Sequence, residues 1–391
     1  MLRVLLRIAD GHPGAVLRRE SSPFGDRVIL PVGLVALYWC HQYKDLIDKH
    51  NIFQRPGDDP NMGFMKPNGW HKLTHRTASD YRIGNLFTGD DAISLHKTIS
   101  AAVSNINTMP CRFITQANSD KKVFEIASKS VKAKDSIFLD LQTLEQWGEF
   151  SLPESTWMAF NRYACWIEPV LVSEWVKTMA GYSGNAEYAS PEKQFRLYQA
   201  LLWLEPKRTT TEVRNRFEQL KKQLPKHDQM QCVWSAKPLK QNYDIDHSMP
   251  FARWPNNDLW NLLPTDSNIN NQKSDRLPTE HKLIDSKERI QHWWQEAWLK
   301  PTNKQNKTSS AKTLEINEQP MGYTISTPYF AISKEIEQKR EFSQSQQQRF
   351  FAEANIALPG LNSDNTSIDD LFEALVIQRG RLKEMQQLRE W

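Results

Sequence analysis

Cysteine is scarce in this sequence, and none of it is paired at a metal-binding spacing. The four cysteines among 391 residues stand alone, with no CxxC pair in the chain. Small secreted domains depend on several disulfides, and four-cysteine zinc sites need two closely spaced pairs. The sequence therefore excludes a disulfide scaffold and a four-cysteine zinc site, and its isolated thiols fit a reducing, cytoplasmic compartment.

Long hydrophobic runs are also missing. The longest apolar stretch covers residues 28–39 and contains Pro31 and Gly33, whereas a membrane-spanning helix needs about 20 apolar residues. Near residue 1, Arg7 and Asp10 interrupt what would be the apolar part of a signal peptide. We expect no transmembrane segment, no export signal and no membrane partner.

Neither sign of charge is in large excess. The chain has 50 Lys and Arg against 46 Asp and Glu, a net charge of +4. A broad basic surface is therefore not indicated, and any nucleic-acid site must be local. The hydrophobic share of 39% and the charged share of 25% are those of an ordinary globular protein.

Tryptophan, by contrast, is abundant, with 14 residues against only 15 glycines. We expect these rings to be core material. Four of them fall at apolar positions of predicted helices: Trp157, Trp166, Trp175 and Trp203. Another six are concentrated in one later segment: Trp234, Trp254, Trp260, Trp293, Trp294 and Trp298.

The length predicts two or three domains, and sequence patterns divide the chain into four regions. Residues 1–145 predict an α+β domain with a recognition or regulatory role, and residues 150–225 predict a helical region. Residues 226–300 carry the chemistry, and residues 301–391 combine a polar linker, a Gln-rich stretch and a final helical region. The predicted fold class is α+β, mainly helical and multi-domain.

The first region contains two predicted helices and three short predicted strands. One helix starts at Pro31 and runs to Leu46, and the other covers residues 90–106 with apolar residues at helical spacing. Runs rich in β-forming residues predict strands at 112–115, 123–127 and 137–141.

One helix of the second region has a basic face whose role stays open. Thr209 and Glu212 have capping-box spacing at its start. The face opposite its apolar stripe is either simply solvated or a surface for phosphate contact. This face carries Arg214, Arg216, Lys221 and Lys222.

The final predicted helix begins at Ser367 and has an apolar stripe that must dock somewhere. It packs either onto the chain's own body or into the groove of a protein partner. The stripe consists of Leu371, Leu375, Leu382 and Met385.

The most informative pattern lies in the third region. Residues 231–234 and 243–247 predict the two strands of a hairpin, followed by a loop rich in proline and asparagine. A helix is predicted from Pro264 or Asp266 to Lys273. The predicted order is strand, strand, helix, and an acid and a histidine end the second strand.

Polar residues of this region have the properties that metal-assisted phosphodiester hydrolysis requires. His247 can take a proton from water near neutral pH, and oxygens of Asp246 and Asn270 suit a hard cation such as Mg²⁺. Asn261 could hold the imidazole through a backbone hydrogen bond. Asn270 and Lys273 share one helix face, so a metal ligand and a phosphate-pairing cation would point the same way.

This segment resembles an HNH endonuclease domain, which has the ββα-metal nuclease fold. The similarity is densest in DIDHSMP, DLWNLLPT and NNQKSDRLP, and it covers a small part of the chain. The segment is similar to bacterial restriction and defence nucleases and to the HNH domain of RNA-guided CRISPR effectors. The resemblance implies that His247 is the general base, that Asn261 orients it, and that Asp246 and Asn270 bind Mg²⁺ or Mn²⁺. It implies hydrolysis of a nucleic-acid phosphodiester, with DNA as the expected partner.

The surroundings of the motif add further expectations. Many HNH domains carry a structural zinc on two CxxC pairs; we expect none here and expect tryptophan packing in its place. Lys273, Arg276 and Arg253 are candidates for nucleic-acid contact, and ordinary surface placement fits the two arginines equally well. Asp244 is expected to brace the loop rather than to bind metal.

Three interpretations of the whole chain stay open. The first is a metal-dependent DNA endonuclease of restriction or antiphage defence. The second is a nuclease subunit that is active only within a larger defence complex, for example of the CRISPR type; the small net charge favours it modestly. The third is an inactive HNH scaffold that binds nucleic acid, against which the intact His247 and Asn270 argue.

Overall fold

The computed structural model of the protein describes residues 1–21, 25–56, 59–202, 206–225, 229–299, 344–361 and 366–391. Within these ranges, buried apolar side chains from all four predicted regions belong to one continuous hydrophobic cluster. The mixture of many helices with small sheets is consistent with the predicted α+β class. None of the helices in these ranges is both long and apolar enough to cross a membrane.

The helices and strands are numbered in chain order. The helices are α1 Leu2–Gly11, α2 Val32–Asp48, α3 Gly89–Thr108, α4 Pro110–Phe113, α5 Leu141–Glu145, α6 Glu154–Ala180, α7 Pro191–Ala200, α8 Thr211–Gln223, α9 Ser267–Lys273, α10 Glu280–Asp285, α11 Lys287–Trp294, α12 344–357 and α13 Ile368–Gln386. The strands are β1 Arg18–Glu20, β2 Arg27–Pro31, β3 Leu86–Thr88, β4 Glu125–Ser128, β5 Ser136–Phe138, β6 Gly148–Pro153, β7 Tyr243–His247 and β8 Leu262–Asp266.

An antiparallel sheet with the strand order β1-β2-β6-β4 organises the first region, and β3 pairs separately with β5. Most residues of α2 are apolar on all sides of the helix, and the helix is almost entirely buried. Both predicted helices of the region are confirmed as α2 and α3. The strand predicted at 112–115 is wrong, because Pro110 starts the short helix α4 there.

The long helix α6 dominates the second region. It continues through Pro169, with a break in helical backbone angles at Tyr163. Glu168 of this helix pairs with the guanidinium groups of Arg3 (2.8 Å) and Arg7 (2.7 Å), which fastens α1 to α6. The predicted core position of Trp166 is wrong: its ring lies on an uncovered side of α6 and is 76% exposed. Trp203 lies outside the described residues.

The third region contains an antiparallel strand pair followed by a helix. β7 and α9 lie where the sequence predicts them, but β7 pairs with β8, in a register that joins His247 to Leu262. The first predicted strand, 231–234, is wrong, because Cys232 N donates to Lys237 O (2.7 Å) and closes a turn. Pro264, taken as a possible helix start, is instead a buried residue within β8.

The C-terminal part packs onto the chain's own helices. Ser367 and Asp370 form a capping box at the start of α13, and three of the four predicted stripe residues are buried, with Met385 partly covered. α13 contacts α6, α10 and α11. Beyond it, Trp391 N donates to Leu277 O (2.7 Å), so residues 389–391 run beside 277–279. The predicted linker and most of the Gln-rich stretch lie outside the described residues.

Candidate active site

Two acidic side chains of β7 lie against α9. Asp244 and Asp246 are two residues apart on a strand and therefore share one of its faces. Asn270 Nδ2 donates to Asp244 Oδ2 (3.1 Å), and Lys273 Nζ donates to Asp246 Oδ1 (3.1 Å). The two predicted metal ligands, Asp246 and Asn270, therefore both lie at one face of β7. Asn270 is hydrogen-bonded to Asp244, not to Asp246.

The start of α9 is fixed by Asp266, the last residue of β8. Its Oδ1 accepts hydrogen bonds from Asn268 N (3.0 Å) and Ile269 N (3.3 Å). A side-chain acceptor at this position satisfies backbone donors that the first helical turn leaves free. The cap fixes the helix start three residues before Asn270 and six before Lys273.

The imidazole of His247 is held by Asn257, a loop residue that sequence reasoning did not select. His247 Nε2 lies 3.0 Å from Asn257 Oδ1. The orientation of the amide is fixed independently: its Nδ2 donates to Lys207 O (2.8 Å), and its Oδ1 also accepts from Thr209 N (3.3 Å). Because Asn257 presents an oxygen to the ring, Nε2 must carry the proton and Nδ1 holds the lone pair.

His247 is almost fully buried, with 1% of its surface exposed. Its Nδ1 has no hydrogen-bond partner in the part of the chain that the structure describes, and the Phe251 ring lies against the imidazole at 5.1 Å. Burial lowers the pKa of His247 to about 4, and the positive charge of Arg208 acts in the same direction. The imidazole is therefore neutral at physiological pH, as a proton acceptor must be.

Asn261 fastens the loop that follows β7 and does not bond the imidazole ring. Its Oδ1 accepts from Met249 N (2.7 Å), and its Nδ2 donates to Met249 O (3.3 Å) and Asn256 O (3.3 Å). Its own carbonyl accepts from Ser248 N (2.7 Å), next to His247. If Asn261 orients the imidazole of His247, it does so indirectly, through its hydrogen bonds to the backbone of Ser248 and Met249.

The predicted phosphate contact of Lys273 does not fit its position. The ammonium is fully buried, pairs with Asp246 and also donates to His247 O (2.7 Å). A group so enclosed cannot reach a phosphate at the surface. Lys273 instead neutralises a buried carboxylate, which would be costly to leave unpaired.

The surrounding tryptophans brace the strands, as predicted. All six rings between residues 234 and 298 are buried. Trp234 Nε1 donates to Asp246 Oδ2 (2.9 Å), Trp293 Nε1 donates to Leu262 O (3.0 Å), and Trp294 Nε1 donates to Trp260 O (3.0 Å). These three indoles thus fill core volume and also satisfy acceptors at the site.

The arginines near the site have different surroundings. Arg253 is half exposed and pairs with Asp275 (2.7 Å), while Arg276 donates to the main-chain oxygens of Lys273 and Gln272. Of the basic face predicted on α8, Arg214 lies 3.9 Å from Asp244, whereas Arg216 donates to Ala297 O (2.8 Å) and serves packing.

Two family models match parts of the chain. A model described as a domain of unknown function (DUF8808) matches residues 1–201, just over half of the 391 residues. The chain belongs to this family. A second model, described as HNH endonuclease, matches residues 234–279, a segment that contains every predicted site residue. Neither curated proteins nor solved structures gave a match.

The HNH match suggests a general kind of activity for this DUF8808 protein. HNH domains indicate nuclease activity and nucleic-acid binding, and HNH nucleases generally use divalent metal ions. Asp246, His247, Asn261 and Asn270 all fall within the matched segment. The DUF8808 region ends before it, so the two matches describe separate parts of the chain.

Oxygen ligands for a hard cation are present at the site. Carboxylates of Asp244 and Asp246 and the amide oxygen of Asn270 are the donor types that Mg²⁺ and Mn²⁺ prefer. Asn270 uses only its nitrogen toward Asp244, but both oxygens of Asp246 already accept hydrogen bonds. Across the described ranges, no three His, Cys, Asp or Glu side chains form a ready metal cluster. The donor types suit a divalent cation, but Lys273 and Trp234 occupy both oxygens of Asp246 in this arrangement, so a cation would have to displace the ammonium.

Proposed function

We propose that the protein is an HNH endonuclease that hydrolyses DNA phosphodiester bonds with the help of a divalent cation. The observation that carries this proposal is the imidazole of His247, which Asn257 holds in one tautomer. A neutral histidine with a free Nδ1 lone pair, at the end of a strand that bears two carboxylates, suits a general base.

In this mechanism, His247 Nδ1 removes a proton from a water molecule, and the resulting hydroxide oxygen attacks phosphorus. The bond from phosphorus to the leaving oxygen breaks, and that oxygen takes up a proton. A divalent cation held by Asp246 and Asn270, with Asp244 beside them, would supply charge neutralisation at the phosphate and the leaving oxygen. Because Nδ1 is buried in this structure, the mechanism requires that it become accessible to water when nucleic acid binds.

The His247→Ala variant tests the proposal. Loss of the general base should lower Mg²⁺- or Mn²⁺-dependent plasmid cleavage by roughly 10² to 10⁴, with the same secondary structure by circular dichroism. His281→Ala is the matched control, because His281 is exposed on α10, outside the site, and pairs with Asp285. Wild-type cleavage by His247→Ala would remove His247 from the mechanism. A wild-type chain that binds DNA without cutting it would favour the inactive scaffold.

An exposed apolar surface favours the second interpretation, a nuclease subunit of a larger complex. Trp166 and Val170 on α6, and Phe195 on α7, are each more than half exposed, and the two helices touch. Large apolar side chains exposed on neighbouring helices are often found at protein interfaces. Co-purification from the native host separates the two interpretations, because a chain that purifies alone and cleaves alone needs no partner. A role in restriction or antiphage defence is part of the proposal and comes from the sequence resemblance.

A further inference from the structure

A cavity of about 700 Å³ lies in the DUF8808 region. It is partly open to solvent and is lined by residues of α2, of the ranges 51–55 and 59–74, and of the end of α3, and none of these residues belongs to the HNH segment. Its volume lies within the range of small-ligand sites, roughly 300–1,000 Å³. Neither the proposed mechanism nor the hydrophobic core accounts for it.

Aromatic rings form one wall of this cavity. Trp39 and Tyr43 are one turn apart on α2, with ring centroids 4.9 Å apart, and Phe64 lies 5.8 Å from Tyr43. Met62 and Met65 add adaptable apolar surface. The ring planes are tilted by 56° and 48° to one another, so a flat aromatic ligand would stack on one ring and meet the edges of the others.

Three polar atoms at the cavity are buried and have no hydrogen-bond partner among the described residues: Trp39 Nε1, Gln54 Oε1 and Arg55 Nε. Trp39 is only 8% exposed, so its N–H cannot rely on bulk water. Buried polar groups in native proteins are nearly always satisfied, and unsatisfied ones call for an explanation. The three residues line the cavity, and small side-chain rotations that turn these atoms toward it would present two N–H donors and one carbonyl acceptor to a ligand.

The carboxylates of the lining are already paired, which argues against a cationic ligand. Asp48 accepts from Trp70 Nε1 (2.9 Å) and pairs with Lys44, and Asp59 lies 3.5 Å from the guanidinium of Arg55. A site for a quaternary or protonated amine would combine its aromatic rings with an available negative charge. The unsatisfied groups here match a neutral heterocycle that both donates and accepts hydrogen bonds.

We propose that this cavity binds a nucleobase, stacked on the aromatic wall and bonded along its edge by Trp39, Gln54 and Arg55. Stacking combined with edge hydrogen bonds is how proteins read a base removed from its helix. The base could belong to a nucleic-acid substrate, in which case the inference rests on the proposed function, or to a free mononucleotide. Lys49 and Lys66 are exposed and are adjacent in sequence to lining residues, so they could pair with the phosphates of the bound nucleotide.

The test uses the full chain carrying His247→Ala, so that the nucleic acid is not cut. Binding is measured with free nucleoside monophosphates, and with a single-stranded oligonucleotide against the same oligonucleotide made abasic. Tighter binding of the oligonucleotide with bases identifies a base within nucleic acid as the ligand. Binding of free nucleotides alone identifies a mononucleotide. Both outcomes support the proposal only if the cavity variants lose that binding.

The cavity variants are Thr108→Trp and Trp39→Phe. The first places a large ring at an exposed lining residue and should abolish base-dependent binding; the second keeps a ring but removes one donor and should weaken binding about three- to tenfold. Gln142→Ala, exposed on α5 outside the lining, is the control. Base-dependent binding that is absent, or equal in all variants, overturns the proposal. Cleavage by the chain with His247 intact is measured separately. A failure of the nuclease proposal can therefore be told apart from a failure of the cavity proposal.

Discussion

Asn257 decides which nitrogen of His247 carries the proton. Its amide is fixed by Lys207 and Thr209, residues that precede α8. A loop residue and a distant segment thus set the chemical state of a residue at the end of β7. Nothing in the local sequence indicates this, because the contacting residues are about 50 positions apart.

The Asn257→Ala variant should therefore lower kcat while leaving KM nearly unchanged. Loss of a residue that orients a site group typically costs 10- to 100-fold. Asn257→Asp keeps an acceptor oxygen for Nε2 and should retain more activity than the alanine variant. Steady-state cleavage kinetics of both variants provide the measurement. Equal losses in the two would show that the acceptor has no special role.

Lys273 neutralises Asp246 in a buried pair. Lys273→Met should destabilise the metal-free protein by about 3–5 kcal/mol, because it leaves a buried carboxylate without a partner. If Asp246 is a metal ligand, Mg²⁺ or Mn²⁺ then takes the place of the ammonium. The melting temperature is measured in EDTA and again with Mg²⁺ or Mn²⁺. The difference between the two values should be larger for Lys273→Met than for the wild type. Lys222→Met, exposed on α8, is the control, and equal rises in all three proteins would contradict the assignment.

At the scale of elements, α9 depends on a single cap residue. Asp266→Ala removes the acceptor for two backbone N–H groups and should lower the free energy of unfolding by about 0.5–2 kcal/mol. Asp266→Ser keeps a capping oxygen and should recover most of that loss. Urea unfolding of the wild type, Asp266→Ala and Asp266→Ser measures these differences in the free energy of unfolding. Cleavage should fall with Ala and recover with Ser, since the cap sets the start of the helix that carries Asn270.

Elements with strong local signals were predictable from the sequence. The alternation in Tyr243–His247, the cap at Asp266 and the capping pair of α13 each act within a few residues, and the structure contains them. β8 was missed because Pro264 suggests a helix start, although a proline can lie in a strand that has one free edge. Its burial comes from packing against distant elements, which local patterns do not encode.

The site was predictable in its residue types but not in its contacts. The pattern around Asp246 and His247 selects the segment that the HNH model matches. It does not show that Lys273 is buried, because the Lys273–Asp246 pair exists only after α9 packs on β7. Likewise, Asp244 was expected to brace the loop, whereas the hydrogen bond that it accepts comes from Asn270 on the helix.

At the scale of the whole molecule, α12 connects distant parts of the chain. Arg349 pairs with Glu212 of α8 (2.8 Å), and Glu353 accepts from Leu259 N (2.8 Å) in the loop between β7 and β8. Burial of Glu353 and the negative charge of the neighbouring Asp258 both raise the pKa of Glu353. The positive charge of Arg349 lowers this pKa but has a smaller effect. The folded protein therefore retains a proton that the unfolded chain releases.

This retained proton predicts the direction of a pH effect. Above the ordinary carboxyl pKa, the unfolded state binds fewer protons than the folded state, so the free energy of unfolding falls as pH rises until Glu353 ionises in the fold. Glu353→Gln cannot ionise and should give a flatter profile between about pH 5 and pH 8. Urea unfolding across this range tests it, with Glu373→Gln, exposed on α13, as control. Parallel profiles for Glu353→Gln and the wild type would rule out Glu353 as the source.

The pairing of residues 389–391 with 277–279 has a consequence for transferring the HNH-matched segment to another protein. Trp391 also stacks edge-on against Trp234, whose N–H bonds Asp246. Together with the bond from Leu259 to Glu353, these contacts place part of the site's support more than 90 residues further along the chain. The segment matched as HNH is therefore not structurally self-sufficient: transferred alone into another protein, it would lose residues 389–391, which pair with 277–279, and helix α12, which bonds the loop between β7 and β8.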